Sequence, residues 1–197
     1  MRASLLILAT LSATAFGARP ALAQDRDIFT GPRVEVNAGY DSAHANDGIA
    51  ATPNTLDGIR VGAAVGYDMA VGDKFTVGLE AGAGYTVSGD VKGQAGTTSY
   101  RATAGWDLDA SLRLGFRASP TTLIYAKGGY ANSEFKLRTK TGSTVTTVSD
   151  DDDGWRVGAG IEQSLGDRFY AKAEYRYTDY GHDVSRHQGL IGFGYRF

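Results

Sequence analysis

Apolar and polar residues alternate along most of the chain with a period of two. Between residues 104 and 117 the even-numbered positions carry Trp106, Leu108, Leu112, Leu114 and Phe116, whereas the odd-numbered positions are charged or small. Successive side chains of a β-strand point to opposite faces, so this period predicts strands rather than helices. The pattern predicts eight strands, at 32–41, 57–70, 74–87, 104–117, 123–135, 154–164, 168–180 and 186–197.

This alternation is compatible with two kinds of β-structure. A soluble antiparallel sheet, as in a periplasmic lipocalin-type barrel, turns its apolar face toward the core and its charged face toward water. A membrane barrel does the reverse, with apolar residues on lipid and charged residues in the lumen. The charged face also holds many of the 27 glycines of the chain. Glycine weakens a strand that faces water, but it makes room for long side chains in a narrow lumen, which favours the membrane barrel.

Aromatic residues on the apolar face gather near the strand ends, and small or aliphatic residues lie between them. One predicted rim carries Tyr67, Phe75, Phe116, Phe169, Tyr195 and Phe197, and the other carries Tyr40, Tyr85, Tyr130, Trp155, Tyr175 and Tyr177. Two aromatic girdles around an aliphatic band are typical of proteins whose rings lie at the level of the lipid headgroups.

The links between the predicted strands alternate in length. Short links lie at 71–73, 118–122 and 165–167, and long, polar links lie at 42–56, 88–103 and 136–153. Outer-membrane barrels have short periplasmic turns and longer extracellular loops. The sequence therefore predicts an all-β fold, an eight-stranded antiparallel up-and-down transmembrane β-barrel with long surface loops.

The first 23 residues differ from the rest of the chain. Arg2 gives a positive start, residues 4–16 are apolar or small, and Ala21-Leu22-Ala23 fits the pattern of a cleavage site. The apolar stretch is shorter than the roughly 18 residues that a membrane helix requires. We expect a cleaved signal peptide at 1–23, a barrel domain at 24–197, and export to the cell envelope.

Charge and cysteine content narrow the function classes. The chain has 20 basic and 22 acidic residues and no cysteine. Loss of the signal peptide would remove Arg2 and Arg19 and would change the formal net charge from −2 to −4. A chain with this charge is not expected to bind nucleic acid. An exported chain without cysteine depends on packing and hydrogen bonds rather than on disulfides.

The C-terminal part of the chain resembles a known family. It reads GWRVGAGIEQSLGDRFYAKAEYRYTDYG (154–181) and later GLIGFGYRF (189–197), which is similar to the C-terminal half of the small outer-membrane β-barrel proteins of Gram-negative bacteria, the opacity-protein-like or porin-like group. The stretch YAKGGYANSEF (125–135) resembles the fifth strand of that group. The resemblance is most specific over residues 123–197. It implies an outer-membrane location and no enzyme activity, and it fixes no substrate.

The resemblance also implies a role for the last strand. Phe193, Tyr195 and Phe197 occupy the positions that the barrel-assembly machinery reads as a terminal signal in this family. The alternative is that Phe197 is only a girdle residue in contact with lipid, and both roles are compatible.

In a membrane barrel the polar faces of the strands would form a lumen with nearly balanced charge. The basic residues are Arg33, Arg60, Arg113, Arg117, Lys127, Arg156, Lys172 and Arg176, and the acidic residues are Glu35, Asp68, Glu80, Asp107, Asp109, Glu162 and Glu174. Buried charges must be paired to be tolerated, and side chains can fill the interior of a small barrel. We predict a salt-bridge network that plugs the lumen. The alternative is a narrow polar path, as in a small porin or a conduit for small or hydrophobic solutes.

Neither catalysis nor metal binding is indicated by the remaining polar residues. His44, His182 and His187 fall in or beside predicted outer loops, and their spacing matches no nucleophile motif. Asp150–Asp153 fails as an EF-hand, because the twelfth loop position would be Gly160, and the run is expected to solvate a surface loop. We expect no cofactor, no metal and no enzyme activity. The expected partners are outer-membrane lipid and lipopolysaccharide. The sequence does not identify a surface ligand.

Overall fold

The computed structural model describes residues 28–45, 55–88, 90–95, 98–141, 144–181 and 184–197. They form the strands β1 (Gly31–Ala45), β2 (Thr55–Val71), β3 (Phe75–Ser88), β4 (Asp90–Ala95), β5 (Thr98–Ser119), β6 (Thr122–Thr141), β7 (Thr144–Ser164), β8 (Phe169–Gly181) and β9 (Val184–Arg196). Within these ranges, no helix has the length and apolarity that crossing a membrane would require. The expected signal peptide lies outside the described residues.

Antiparallel pairing closes the strands into a barrel. Strands that are consecutive in the chain pair with each other from β1 to β3 and from β4 to β9, β3 also pairs with β5, and β1 pairs with β9. Both β3 and β4 pair with β5 and follow one another along it, so the nine segments make eight walls. The predicted eight-stranded antiparallel barrel is therefore confirmed.

The two faces of the barrel are inverted relative to a soluble protein. Val36, Leu114 and Ile191 point outward and are 62–70% exposed, whereas Arg33 and Arg60, on the other face, are each 1% exposed. A large apolar side chain on an outer surface is stable when lipid replaces water as the solvent. The lipocalin-type alternative, which requires an apolar interior, is wrong.

Two of the long links that the sequence predicts, at 88–103 and 136–153, are largely strand in the structure, and most of the third, 42–56, lies outside the described residues. The segments 88–103 and 136–153 contain β4 and large parts of β5, β6 and β7, and β6 stays paired with β7 as far as Thr141 and Thr144. Asp150–Asp153 lies within β7, opposite residues 132–135, and not in a loop. The alternation loses its apolar face there, but threonine and valine still favour strands, and the hydrogen-bonded ladder continues.

The short turns lie at the end of the barrel where β1 begins and β9 ends. Gly72 and Gly166 have φ values of +65° and +127° in the turns between β2 and β3 and between β7 and β8. These backbone conformations favour glycine. We refer to this end as the periplasmic end and to the opposite one as the outer end.

Candidate functional site

The barrel brings the charged residues of its eight walls together in the lumen. Every residue predicted for the lumen network is at most 6% exposed, except Arg117, which is partly exposed near the periplasmic end of β5. The side chains of the buried members form one connected set of ion pairs, which we call the lumen network.

The periplasmic layer of the lumen network is centred on Asp68. Its Oδ2 accepts hydrogen bonds from Arg33 Nε at 3.0 Å, from Arg113 Nη1 at 2.9 Å and from Arg196 Nη1 at 2.8 Å. Glu162 accepts from Arg113 Nη2 at 2.5 Å and from Arg196 Nη2 at 2.7 Å. The two carboxylates thus hold three guanidinium groups across the barrel.

The middle layer alternates carboxylates with ammonium groups. Lys127 Nζ lies 2.5 Å from Glu80 Oε1 and 2.8 Å from Glu174 Oε1. Lys172 Nζ lies 2.9 Å from Glu174 Oε2 and 2.5 Å from Glu35 Oε1. Because all five side chains are buried, each charge is compensated by its neighbours rather than by bulk water.

A third layer lies nearer the outer end. Arg60 makes a two-pronged contact with Asp107, with Nε at 2.8 Å from Oδ1 and Nη2 at 3.0 Å from Oδ2. Arg156 Nη1 donates to Asp109 Oδ1 at 2.9 Å, and Arg176 Nη1 lies 3.5 Å from the same oxygen. Arg176 also donates to Glu174, which links this layer to the middle one.

The outermost layer consists of residues that the sequence analysis did not select. Arg186 donates through Nε to Asp41 Oδ1 at 2.7 Å and through Nη1 to Ser133 Oγ at 3.1 Å. Thr86 and Gln188 donate to the same Asp41 carboxylate at 2.8 and 3.2 Å. Arg186 and Gln188 share the face of Arg196 on β9, so alternation along that strand could have identified them.

Two tyrosines also belong to the lumen network and were missed. Tyr125 Oη donates to Glu174 Oε2 at 2.5 Å, and Tyr170 Oη donates to Glu35 Oε2 at 3.0 Å. The guanidinium carbon of Arg113 lies 3.8 Å from the centre of the Tyr125 ring. These rings fill space between the charges and supply hydroxyl donors to carboxylates that already accept from basic side chains.

Glycine provides the room for the long side chains. A Cβ added to Gly84 would lie 2.0 Å from Arg60 Nη2, and one added to Gly194 would lie 2.2 Å from Tyr170 Cζ. Both glycines face the lumen beside a side chain that is fixed by hydrogen bonds. At these two positions, glycine on the polar face makes space for a long side chain in the narrow lumen, as the sequence predicts.

The periplasmic mouth is covered by the residues that precede β1. Phe29 is 1% exposed, and its carbonyl oxygen accepts a hydrogen bond from Arg196 Nη1 at 2.8 Å. Gly31, with φ at +101°, turns the chain into β1, and Phe197 N–H donates to the Pro32 carbonyl at 3.0 Å. These hydrogen bonds join the start of β1 to the end of β9 at the periplasmic mouth of the barrel.

The predicted girdle residues all lie on the outer face. Ten of the twelve are 42–56% exposed, whereas Tyr177 and Tyr195 are partly exposed; the ten are Tyr40, Tyr67, Phe75, Tyr85, Phe116, Tyr130, Trp155, Phe169, Tyr175 and Phe197. Phe75 and Phe116 pack with ring centres 5.5 Å apart at the periplasmic rim. Trp106, which the prediction left out, stands opposite Tyr85 in the strand register and extends the outer rim.

The last strand places its alternate aromatics on the outer face. Phe193 and Phe197 are 49% and 54% exposed, and the ring of Phe169 lies 5.6 Å from Phe193 and 5.2 Å from Tyr195. The rings of Tyr195 and Phe197 are 4.9 Å apart. The proposed assembly residues thus form one continuous aromatic row with the start of β8.

Histidines and tyrosines form a separate group at the outer rim. The rings of His44 and His187 are 5.7 Å apart, and Tyr175 Oη lies 2.6 Å from His187 Nδ1. His182 lies outside the described residues. Among the residues that the structure describes, no three His, Asp or Glu side chains are grouped so as to hold a metal ion.

Polar contacts continue just above the outer girdle. Asn132 Nδ2 donates to Asp153 Oδ1 at 2.7 Å. Hydrogen bonds from the Tyr130 hydroxyl and from Asn132 lower the pKa of the Asp153 carboxyl. The carboxylate is thus held in its charged form where the strands leave the girdle.

Comparisons with known proteins match this architecture. The family model described as outer membrane protein beta-barrel domain matches residues 8–197. The 31 kDa outer-membrane immunogenic protein of Brucella melitensis is 26% identical over 205 aligned positions, which cover 88% of this chain and 85% of the relative. The 25 kDa outer-membrane immunogenic protein of Brucella ovis is 29% identical over 141 residues, which cover 72% of this chain. The chain spans 65% of that relative, less than two thirds of its length.

Solved structures share the fold at low sequence identity. Neisserial surface protein A has a TM-score of 0.57 at 16% identity, with 85% of this chain and 98% of that chain covered. Ail, the attachment invasion locus protein of Yersinia pestis, solved with the heparin analogue sucrose octasulfate, has a TM-score of 0.55 at 16% identity. That match covers 85% of this chain and all of the other. Both similarities concern the barrel fold alone.

Proposed function

This chain belongs to the family of outer membrane protein beta-barrel domains, and from that premise we propose that it has a structural and surface-interaction role, with a lumen that does not conduct. It is an outer-membrane β-barrel protein of Gram-negative bacteria. The proposal adds the closed lumen and the surface role to this coarser statement.

The connected lumen network is the observation that carries the proposal. It extends from Arg196 at the periplasmic mouth to Arg186 at the outer end, and its charges are paired at each level. Breaking a buried ion pair by removing one partner costs about 3–5 kcal/mol. A solute that crossed the lumen would have to separate several such pairs in succession, which opposes conduction.

The surface role is supported by the strand ends beyond the outer girdle. β4 to β7 continue past Trp106, Tyr130 and Trp155 as paired strands. The Brucella relatives are named as immunogenic proteins of the outer membrane. We propose that the ends of β4 to β7 beyond the outer girdle are exposed at the cell surface. We propose no enzymatic role.

The partners that we propose follow from the outer face of the barrel. The aliphatic band between the girdles would contact outer-membrane lipid, with lipopolysaccharide in the outer leaflet. The aromatic row of β9 would engage the barrel-assembly machinery during biogenesis.

Planar-bilayer recording of the refolded full chain tests the closed lumen. We expect no steady single-channel steps, after heat-modifiable gel migration has shown that the barrel is folded. Glu80→Gln removes a middle-layer charge, and Lys74→Gln, at an exposed turn, is the matched control. Steady steps in the unaltered protein that change with Glu80→Gln and not with Lys74→Gln would contradict the proposal and favour the small-porin alternative.

A further inference from the structure

An open slot on the outer face separates two tyrosines of the outer girdle. Gly189 of β9 is directly opposite Tyr40 of β1 on one side and Tyr175 of β8 on the other. Directly opposed residues share a face, so the two tyrosines, which are 56% and 53% exposed, stand on either side of the glycine. A Cβ added to Gly189 would meet no atom within 4 Å outside its neighbours in the chain. We call this open space the tyrosine slot.

The two walls of the tyrosine slot are held at their hydroxyl ends. The Tyr40 hydroxyl forms a hydrogen bond with the Asp57 carboxylate, and Tyr175 Oη lies 2.6 Å from His187 Nδ1. Two strand spacings separate the walls, which amounts to about 9.6 Å. The gap between the rings is narrower than this by the thickness of the rings, which leaves room for a single hydrocarbon chain.

An apolar depression adjoins the tyrosine slot on the side of the membrane interior. Its volume is about 790 Å³, and its lining includes Gly189 and Tyr175. The lining on the outer face is otherwise small or aliphatic, as at Ala38, Ala159, Ala173 and Ile191. Ala38, Ile191 and Ala173 form the register row next to the slot. The depression and the slot are therefore continuous, and together they fit an acyl chain.

Polar groups lie in the register row at the other end of the slot, toward the outer end of the barrel. His187 is directly opposite Ser42, and Ser42 is directly opposite Asp57. Hydrogen bonds from Ser42 and Tyr40 lower the pKa of the Asp57 carboxyl, which holds it in its charged form. The ring of His44 lies 5.7 Å from that of His187. The slot thus has an apolar depression at one end and a carboxylate with two imidazoles at the other.

The charge of this polar row discriminates between lipid headgroups. The exposed Asp57 carboxylate attracts an ammonium group and repels a phosphate. An ammonium group beside Tyr40 is also attracted by the face of the aromatic ring. The imidazole N–H groups of His44 and His187 can donate to a phosphate oxygen. A headgroup with both an ammonium and a phosphate group therefore matches the row, whereas a headgroup with phosphates alone does not.

We propose that this site binds one zwitterionic phospholipid, with an acyl chain in the depression and the tyrosine slot and with its headgroup on the polar row. Tyr40 and Tyr175 belong to the outer girdle, whose rings lie at the level of the lipid headgroups, so the chain and the headgroup meet at the appropriate depth. Because the walls of the slot are in place before the lipid binds, little ordering of the protein opposes binding. The inference goes beyond the proposed function and does not depend on a closed lumen.

Native mass spectrometry of the refolded full chain in neutral detergent micelles tests the site. Equimolar phosphatidylethanolamine and phosphatidylglycerol with the same acyl chains are added, after heat-modifiable gel migration has shown that each variant is folded. The unaltered protein should retain one lipid. It should prefer phosphatidylethanolamine by about threefold to fivefold, the size of effect that an exposed ion pair produces.

Three variants separate the contribution of the slot from that of the headgroup contacts. Gly189→Leu fills the tyrosine slot and should abolish retention of either lipid. Gly128→Leu is the matched control, because Gly128 also faces outward over open space, between Leu112 and Val157 instead of two tyrosines. This variant should retain lipid like the unaltered protein. Asp57→Asn should still retain one lipid but should lose the preference for phosphatidylethanolamine.

Equal retention of lipid by the Gly189→Leu and Gly128→Leu variants would overturn the site. A preference for phosphatidylethanolamine that persists in Asp57→Asn would overturn the assignment of the headgroup. Displacement of the retained lipid by an equimolar amount of unmodified lipid A, which carries phosphates and no ammonium group, would overturn the proposal in favour of a lipopolysaccharide site.

Discussion

At the scale of single residues, Asp68 illustrates how the lumen accommodates charge. One of its oxygens accepts hydrogen bonds from Arg33, Arg113 and Arg196, and the last two are also held by Glu162. Shared partners of this kind compensate the cost of removing each ion from water. The removal of one member therefore leaves its partners buried with an uncompensated charge.

Arg113→Ala should lower the free energy of unfolding by about 3–5 kcal/mol, because Asp68 and Glu162 each lose a buried partner. Urea unfolding of the barrel refolded in lipid vesicles measures this change. Arg168→Ala removes an exposed arginine at a turn and should change the free energy by no more than about 1 kcal/mol. Equal effects of the two substitutions would contradict the network as described.

Alternation predicted most of the lumen residues but not all of them. Lys127 and Lys172 were assigned to the lumen because charge on the polar face identifies that face. Tyr125 and Tyr170 lie two residues before them and share the face, yet a tyrosine near a strand end is equally compatible with a girdle. The hydroxyl contacts that decide between the two sites are made to other strands, from β6 to β8 for Tyr125 and from β8 to β1 for Tyr170, so they cannot be deduced from the sequence of one strand.

At the scale of the elements, the membrane-spanning parts of the strands were predictable and their outer extents were not. Lipid on one face and lumen on the other impose a strict period of two, which locates β2 and β3 to within a few residues. Beyond the girdle neither face contacts lipid, so the apolar half of the pattern disappears from β6 and β7. The register shift of β5 between Ala104 and Asp107 likewise depends on its partner strand and not on local sequence.

Phe197→Ala should slow assembly of the barrel in cells while leaving the stability of the refolded barrel nearly unchanged, because the aromatic row of β9 is proposed to be read before the barrel closes. Pulse-chase labelling with heat-modifiable migration measures the assembled fraction over time. Phe75→Ala is a matched control, since Phe75 and Phe197 are 55% and 54% exposed at the same rim. Equal assembly rates for the two variants would show that Phe197 is a girdle residue only.

At the scale of the whole molecule, the alternation of apolar and polar residues explains why the outer face of the barrel is apolar and its interior is charged. Aliphatic and aromatic side chains cover the outside, and paired charges with glycines fill the inside. Pairing of β1 with β9 and of β3 with β5 closes the sheet at the level of the girdles, as a sheet surrounded by lipid requires. Closure and the inverted faces could be predicted from the sequence, since both follow from alternation and strand number, whereas the lumen contacts required the assembled barrel.

The filled lumen is the central claim, and thiol accessibility tests it most directly because the chain contains no cysteine. Ser111→Cys places a thiol at a lumen position that is 6% exposed, and Asp73→Cys places one in the exposed turn between β2 and β3. With a small cationic methanethiosulfonate reagent, Asp73→Cys should be modified in the folded barrel, and Ser111→Cys should be modified only after thermal unfolding. Modification of both cysteines at the same rate in the folded barrel would contradict a lumen closed by paired charges.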